Sequence, residues 1–165
     1  MVYLFVVLLA VLLMFAAVLL RGAPYMPTLD TQVQAALELL DLKKGQTLLE
    51  LGSGDGKVLV AAARAGLNVV GVELNPLLVA VSWLRTRRYR KQVRIIWGDF
   101  WRVQWPACDG VFTFLLNRFM PKLDARMQTV QKPLASFAFK IPGRRPTAEK
   151  AGVYLYGYDG SASHG

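Results

Sequence analysis

The sequence predicts an α/β protein: a doubly wound, mostly parallel sheet with helices on both faces, preceded by one N-terminal transmembrane helix. Three observations carry this expectation. Short apolar runs alternate with segments of helical periodicity from Thr31 to Tyr158. A glycine turn, Gly52-Ser-Gly-Asp-Gly56, joins one such run to a helix-forming stretch. Residues 2–20 contain no charge, proline or glycine, and a bilayer core needs about 20 apolar residues in a helix.

Taken in order, residues 1–21 are expected to be the anchor and 22–27, with two prolines and a glycine, a linker. A cleaved signal and a buried core helix compete with the anchor, but no basic residue precedes the run and Leu19-Leu20-Arg21 suits cleavage poorly. The domain runs over 28–158. Thr28–Asp30 can cap a helix through Leu40, where Val33, Ala36, Leu37 and Leu40 recur at helical spacing. Strands are expected at Thr47–Leu51, Asn68–Val72, Val93–Trp97, Gly110–Leu116 and Leu134–Phe139. Helices are expected at Lys57–Ala65, closed by Gly66, at Leu77–Tyr89 behind Pro76, and at Met120–Thr129. One last strand lies in Gly152–Tyr158, and 159–165 reads as a flexible tail. This is a Rossmann-like order, with a single strand after Phe139 and therefore a shortened sheet.

Composition excludes some functions. Cys108 is the only cysteine and His164 the only histidine, so an internal disulfide and a structural zinc site are ruled out, and no metal is expected. The net charge is +9, and all 20 basic residues follow the apolar run, which places the domain on the cytoplasmic side. Six of them fall between Arg85 and Arg94. That cluster has three readings: a solvated helix end, contact with anionic lipid, or nucleic-acid binding.

The chemistry concentrates at the strand ends. Gly52, Gly54 and Gly56 let the backbone approach a ligand where a Cβ would collide. Ser53 and Asp55 complete the turn, and the helix after it aims N–H groups at the same place. Glu50 and Asp55 suit an ammonium group and oppose a pyrophosphate. Glu73 ends the second strand, where a carboxylate accepts from ribose hydroxyls; Leu74 and Asn75 follow it. Asp99 ends the third, positioned for an adenine amino group, with Phe100 or Trp101 beside it to cover the ring. Three acids at three successive strand ends point to S-adenosylmethionine (SAM) rather than NAD, and hence to methyl transfer.

Leu48–Pro76 resembles the cofactor motif and following acidic strand of class I, seven-strand SAM-dependent methyltransferases. Pro24-Tyr-Met-Pro-Thr28, Leu-Gly-Ser-Gly-Asp-Gly-Lys57, Val-Glu-Leu-Asn-Pro76 and Gly-Asp-Phe-Trp101, behind an apolar anchor, are similar to the small membrane-anchored lysine methyltransferases. Mitochondrial members of that family act on the ATP synthase c subunit and the adenine nucleotide translocase. The resemblance implies Glu50, Gly52, Gly54, Glu73, Asn75 and Asp99 as cofactor contacts and a lysine of a membrane-associated protein as acceptor. Leu115-Leu-Asn-Arg-Phe-Met-Pro121 departs from the Asn-Pro-Pro-Tyr loop of base and glutamine methyltransferases, so nucleic acid is not favoured. Asn117 is the candidate for orienting the acceptor amine, and Phe119 with Trp101 for walling its pocket. Small-molecule or lipid-headgroup methylation, and a non-catalytic SAM-binding module, stay open. The expected location is a bacterial plasma membrane, with the mitochondrial inner membrane as the alternative.

Overall fold

The computed structural model describes residues 1–21 and 30–158, with side chains of the first helix described at 1–9, 12 and 13. The expected linker 22–27, Thr28 and the tail 159–165 lie outside the described residues. The order is α1 (Val2–Arg21), α2 (Asp30–Leu40), β1 (Thr47–Leu51), α3 (Lys57–Arg64), β2 (Asn68–Glu73), α4 (Pro76–Thr86) and a 3₁₀ turn (Arg87–Tyr89). It continues with β3 (Val93–Trp97), β4 (Gly110–Thr113), α5 (Met120–Val130), β5 (Leu134–Phe137), β6 (Ala148–Lys150) and β7 (Val153–Tyr156).

The strands form one sheet in the order β3-β2-β1-β4-β5-β7-β6. The first five run parallel, and β7 is antiparallel to both β5 and β6. The sheet is therefore not shortened, which corrects the expectation of a single strand after Phe139. The missing partner is β6, three residues joined to β7 by Ala151-Gly152, both at positive φ (49° and 75°). A two-residue hairpin loop needs that backbone, and Asn-Gly or Asp-Gly is its usual sequence mark. Two other strands end earlier than expected. β4 stops at Thr113, whose Oγ1 donates to the Leu51 carbonyl at 3.1 Å, and β5 stops before Ala138, at φ 67°.

Alternation along β1 divides the core. Leu48 faces α2 and α3, packing with Val33, Ala36, Leu59 and Ala62. Leu49 and Leu51 face the opposite side, under Met120, Leu123 and Met127 of α5. α4 lies over β2 and β3 beside α3. On the α5 side the connections 98–109 and 138–147 cover the sheet without a helix of their own. Among the described residues no helix is long and apolar enough to cross a membrane. The expected transmembrane span thus has no support from the fold.

Candidate functional site

The site grows from the end of β1. The Gly52 and Ser53 N–H groups both donate to the Val72 carbonyl, at 2.9 and 3.0 Å, which turns the chain out of the sheet. Gly52, Gly54 and Gly56 have φ of 81°, 52° and 79°, a region costing other residues about 1–2 kcal/mol. The glycines differ in purpose. A Cβ on Gly52 would meet nothing within 4 Å, so that side of the turn is open. A Cβ on Gly56 would lie 2.3 Å from Ser82 Oγ, so that glycine lets α4 pack under the turn.

Glu73 organises the next loop. Its Oε2 accepts from Gly54 N–H at 2.8 Å and its Oε1 from Asn75 N–H at 2.7 Å. Burial raises its pKa, and these backbone donors oppose the rise. Each oxygen keeps lone-pair capacity for a ligand hydroxyl. Leu74 accepts the Trp97 indole N–H on its carbonyl at 3.1 Å. Asn75 is fully buried and caps α4, its Oδ1 accepting from Leu77 N–H at 2.9 Å while its Nδ2 has no partner.

Glu50 stands apart. It is 4% exposed, and its Oε2 has no hydrogen-bond partner. Burial, then the charges of Glu73 and Asp55, hold its carboxyl well above the ordinary range. A buried acid oxygen without a donor is an invitation to a cationic or N–H-bearing ligand. Asp55, expected to share that role, is engaged elsewhere. Its Oδ1 accepts from Lys57 N–H at 3.2 Å and its Oδ2 pairs with Arg85. Ser53 is buried against Gly71, its Oγ likewise unpartnered.

Asp99 begins the loop after β3, its Oδ1 taking the Trp101 N–H at 2.9 Å. Phe100 is buried in the core and tilts against Trp101, ring centroids 4.8 Å apart. That burial makes Trp101, half-exposed, the better placed cover for a ligand ring. Asn117 is exposed on a 3₁₀ turn (Asn117–Phe119) leading into α5, and Phe119 is half-buried 6.2 Å from Trp101. The two aromatic faces already carry cations: Arg118 lies 4.7 Å from the Phe119 ring and Lys122 4.3 Å from Trp101.

Arg126 escaped the sequence reading. Its guanidinium donates to the carbonyls of Phe100, Trp101 and Val103 at 2.8, 3.1 and 3.0 Å and lies 4.0 Å from the Trp105 ring. It therefore shapes the whole Asp99–Val103 loop. Nothing local marks it, because its partners are backbone groups about 25 residues away. Cys108 is buried, its thiol pushed up to about 11 mainly by burial and next by Asp109. Among the described residues no three His, Cys, Asp or Glu side chains cluster to hold a metal.

The parts fit a ligand that carries an ammonium and vicinal hydroxyls. The open space beside Gly52 has room for it, the orphan oxygen of Glu50 suits a cation, and the Glu73 oxygens suit hydroxyls.

Comparison with known proteins agrees. Residues 50–148 match the family model of the ANTKMT methyltransferase domain. The lysine N-methyltransferase of the ATP synthase c subunit from Xenopus laevis is 38% identical over 110 residues, covering 64% of this chain and 47% of that protein. A protein-lysine N-methyltransferase of Saccharolobus islandicus is 29% identical over 131 residues, covering 74% and 81%. The chain spans about half the length of the ATP synthase lysine methyltransferases it matches. An RNA methyltransferase from Salinibacter ruber, solved in complex with S-adenosyl-L-homocysteine, superposes with a TM-score of 0.75 at 27% identity, covering 81% of this chain and 94% of that one. With the glycine turn, the strand-end acids and the seven-strand sheet all present, this chain belongs to the ANTKMT methyltransferase domain family of class I methyltransferases.

Proposed function

We propose that the chain transfers a methyl group from SAM to a lysine side chain of a membrane-associated protein. The observation that carries the cofactor half is the orphan, buried Glu50 oxygen, two residues before the open backbone of Gly52. When bound, SAM supplies an electrophilic methyl on a sulfonium. Glu50 receives its ammonium, Glu73 its ribose hydroxyls, and the Gly52–Gly56 backbone lets it approach. Asp99, held by the Trp101 N–H, accepts from the adenine amino group, with Trp101 against the ring.

The acceptor half rests on the named relatives, which act on lysine. In this reading Asn117 accepts a hydrogen bond from the amine through its side-chain carbonyl and aims its lone pair. Phe119 and Trp101 wall the approach and exclude water. A lysine entering that setting, with Arg118 and Lys122 nearby, loses its proton more readily, because burial and like charge both disfavour ammonium. Membrane attachment belongs to the same proposal, with the domain on the cytoplasmic side. Its support is the apolar, exposed character of the described α1 side chains Val2 to Leu9, Leu12 and Leu13.

RNA is the second reading, favoured by the solved RNA methyltransferase at 27% identity. Incubation of the full chain with methyl-tritiated SAM and isolated membranes separates the two. The expected label sits in protein and hydrolyses to methyl-lysine. Label recovered only in RNA, or only in extracted lipid, would refute the lysine acceptor.

A further inference from the structure

Outside α1, the exposed large apolar side chains of the described residues share one edge of the molecule: Leu77, Val81, Trp83 and Leu84 on α4, and Trp97 at the end of β3. Leu77, Val81 and Leu84 stand at helical spacing, so α4 presents an apolar stripe to solvent while its Ser82 and Thr86 are buried. Trp83 and Trp97 are 57% and 67% exposed, which is unusual for the largest side chain. Around this patch stand Arg85, Arg87, Arg88, Arg90, Lys91 and Arg94, all exposed. Arg90 lies 5.0 Å from the Trp83 ring. On the side toward α3 lies a groove of about 770 Å³ lined by Arg64, Arg87 and Arg88 and by two ion pairs, Lys57 with Asp30 and Arg85 with Asp55.

Tryptophan and leucine rimmed by arginine is the chemistry of an interfacial membrane face. The indoles sit at headgroup depth, the aliphatic groups reach the acyl boundary, and the guanidinium groups meet phosphate. The charge fits only an anionic surface. Chain length agrees: Asp30 borders the groove, and the eight residues 22–29 between it and α1 reach at most about 30 Å. We infer that the α4–Trp97 edge docks on the anionic headgroup layer of the bilayer, as a second contact besides α1. The inference rests on the proposed membrane setting. The edge is continuous with the cofactor loop, since Asn75 caps α4 and the Trp97 indole holds the Leu74 carbonyl. Docking there sets the β3 side of the sheet against the layer, with the basic segment 87–91 before the amino end of β3 and Trp97 at its carboxyl end both in contact.

The four tryptophans are Trp83, Trp97, Trp101 and Trp105, and α1 has none. Indole fluorescence therefore reports the domain alone. The full chain is reconstituted into vesicles with brominated acyl chains, of phosphatidylcholine with or without phosphatidylglycerol. Quenching is expected with phosphatidylglycerol and is expected to weaken without it or in high salt. Trp83→Phe/Trp97→Phe should lose most of the quenching. Arg87→Gln/Arg88→Gln, which keeps every indole, should weaken docking by about thirtyfold, since each basic residue near an anionic surface contributes about fivefold. Quenching that survives the double Phe variant, or that ignores lipid charge, would overturn the inference. So would a fluorescence response to RNA, or to dimer formation, with none to lipid. Lysine labelling in the same vesicles keeps the readings apart: methylation without quenching sinks only the docking face, and quenching without methyl-lysine sinks only the acceptor.

Discussion

Under the proposed function, Glu50 serves the cofactor at the expense of stability. Its pKa is raised on folding, chiefly by burial. Above the ordinary carboxylate range the folded chain therefore holds a proton that the unfolded chain has released. Stability is then lost as pH rises from about 4.3 through the raised value. Glu50→Gln should remove this slope. Without cofactor, the variant is expected to melt higher than the parent at neutral pH, with the difference shrinking as pH falls toward the ordinary carboxylate range. Its SAM affinity, measured by calorimetry, should fall, because the amide no longer offers a charge to the ammonium. A variant that melts lower at neutral pH and binds SAM normally would show Glu50 to be ordinary core. Glu73 is different in kind, since backbone donors hold both its oxygens. Its place at the end of β2 was readable from the sequence, but its task of tying the glycine turn to Asn75 was not.

At the scale of elements, the junction of the glycine turn with α3 and α4 is the tightest feature of the site. Gly56 combines a left-handed backbone with a Cβ position occupied by Ser82. Gly56→Ala should cost roughly 2–5 kcal/mol, the sum of backbone strain and overpacking. Ser82→Ala in the same chain removes the nearest clashing atom and should restore part of it. Denaturant unfolding checks both, and an undiminished single variant would remove the argument. Elements with a strong local signal were legible: β1, the glycine turn, Pro76 at the start of α4, and the parallel strands. The β6–β7 hairpin was not, because Ala148-Glu-Lys150 is a short, charged edge strand turned by Ala-Gly. Arg126 was silent for the same reason of range. Its significance lies in three carbonyls of a distant loop.

At the scale of the whole molecule, the charge and apolar surface are distributed for a boundary. Six of the 20 basic residues fall between Arg85 and Arg94, at the end of the exposed α4 and into β3. Under the proposed function, enzyme and acceptor share a bilayer, and confinement raises their effective concentration without a new contact. Methylation should therefore be faster when the two are reconstituted in the same vesicles than in separate ones, by about 100-fold or more. Equal initial rates of methyl-lysine formation would argue that the reaction takes place in solution. The matched region covers 47% and 46% of two of the ATP synthase lysine methyltransferases, and the domain carries a seven-strand sheet.

By itself the sequence determined the sheet-and-helix alternation, the glycine turn and the three strand-end acids. Those signals are local: φ > 0 favours glycine, and a strand end fixes where its last side chain emerges. Only the tertiary structure decided which acid is free. Glu50 and Asp55 look equivalent in the chain, but Arg85, thirty residues beyond Asp55, neutralises one and leaves the other buried and unpartnered. It also decided that the apolar side of α4 faces water. Burial depends on which neighbours arrive, and at this edge of the sheet none of the described elements does.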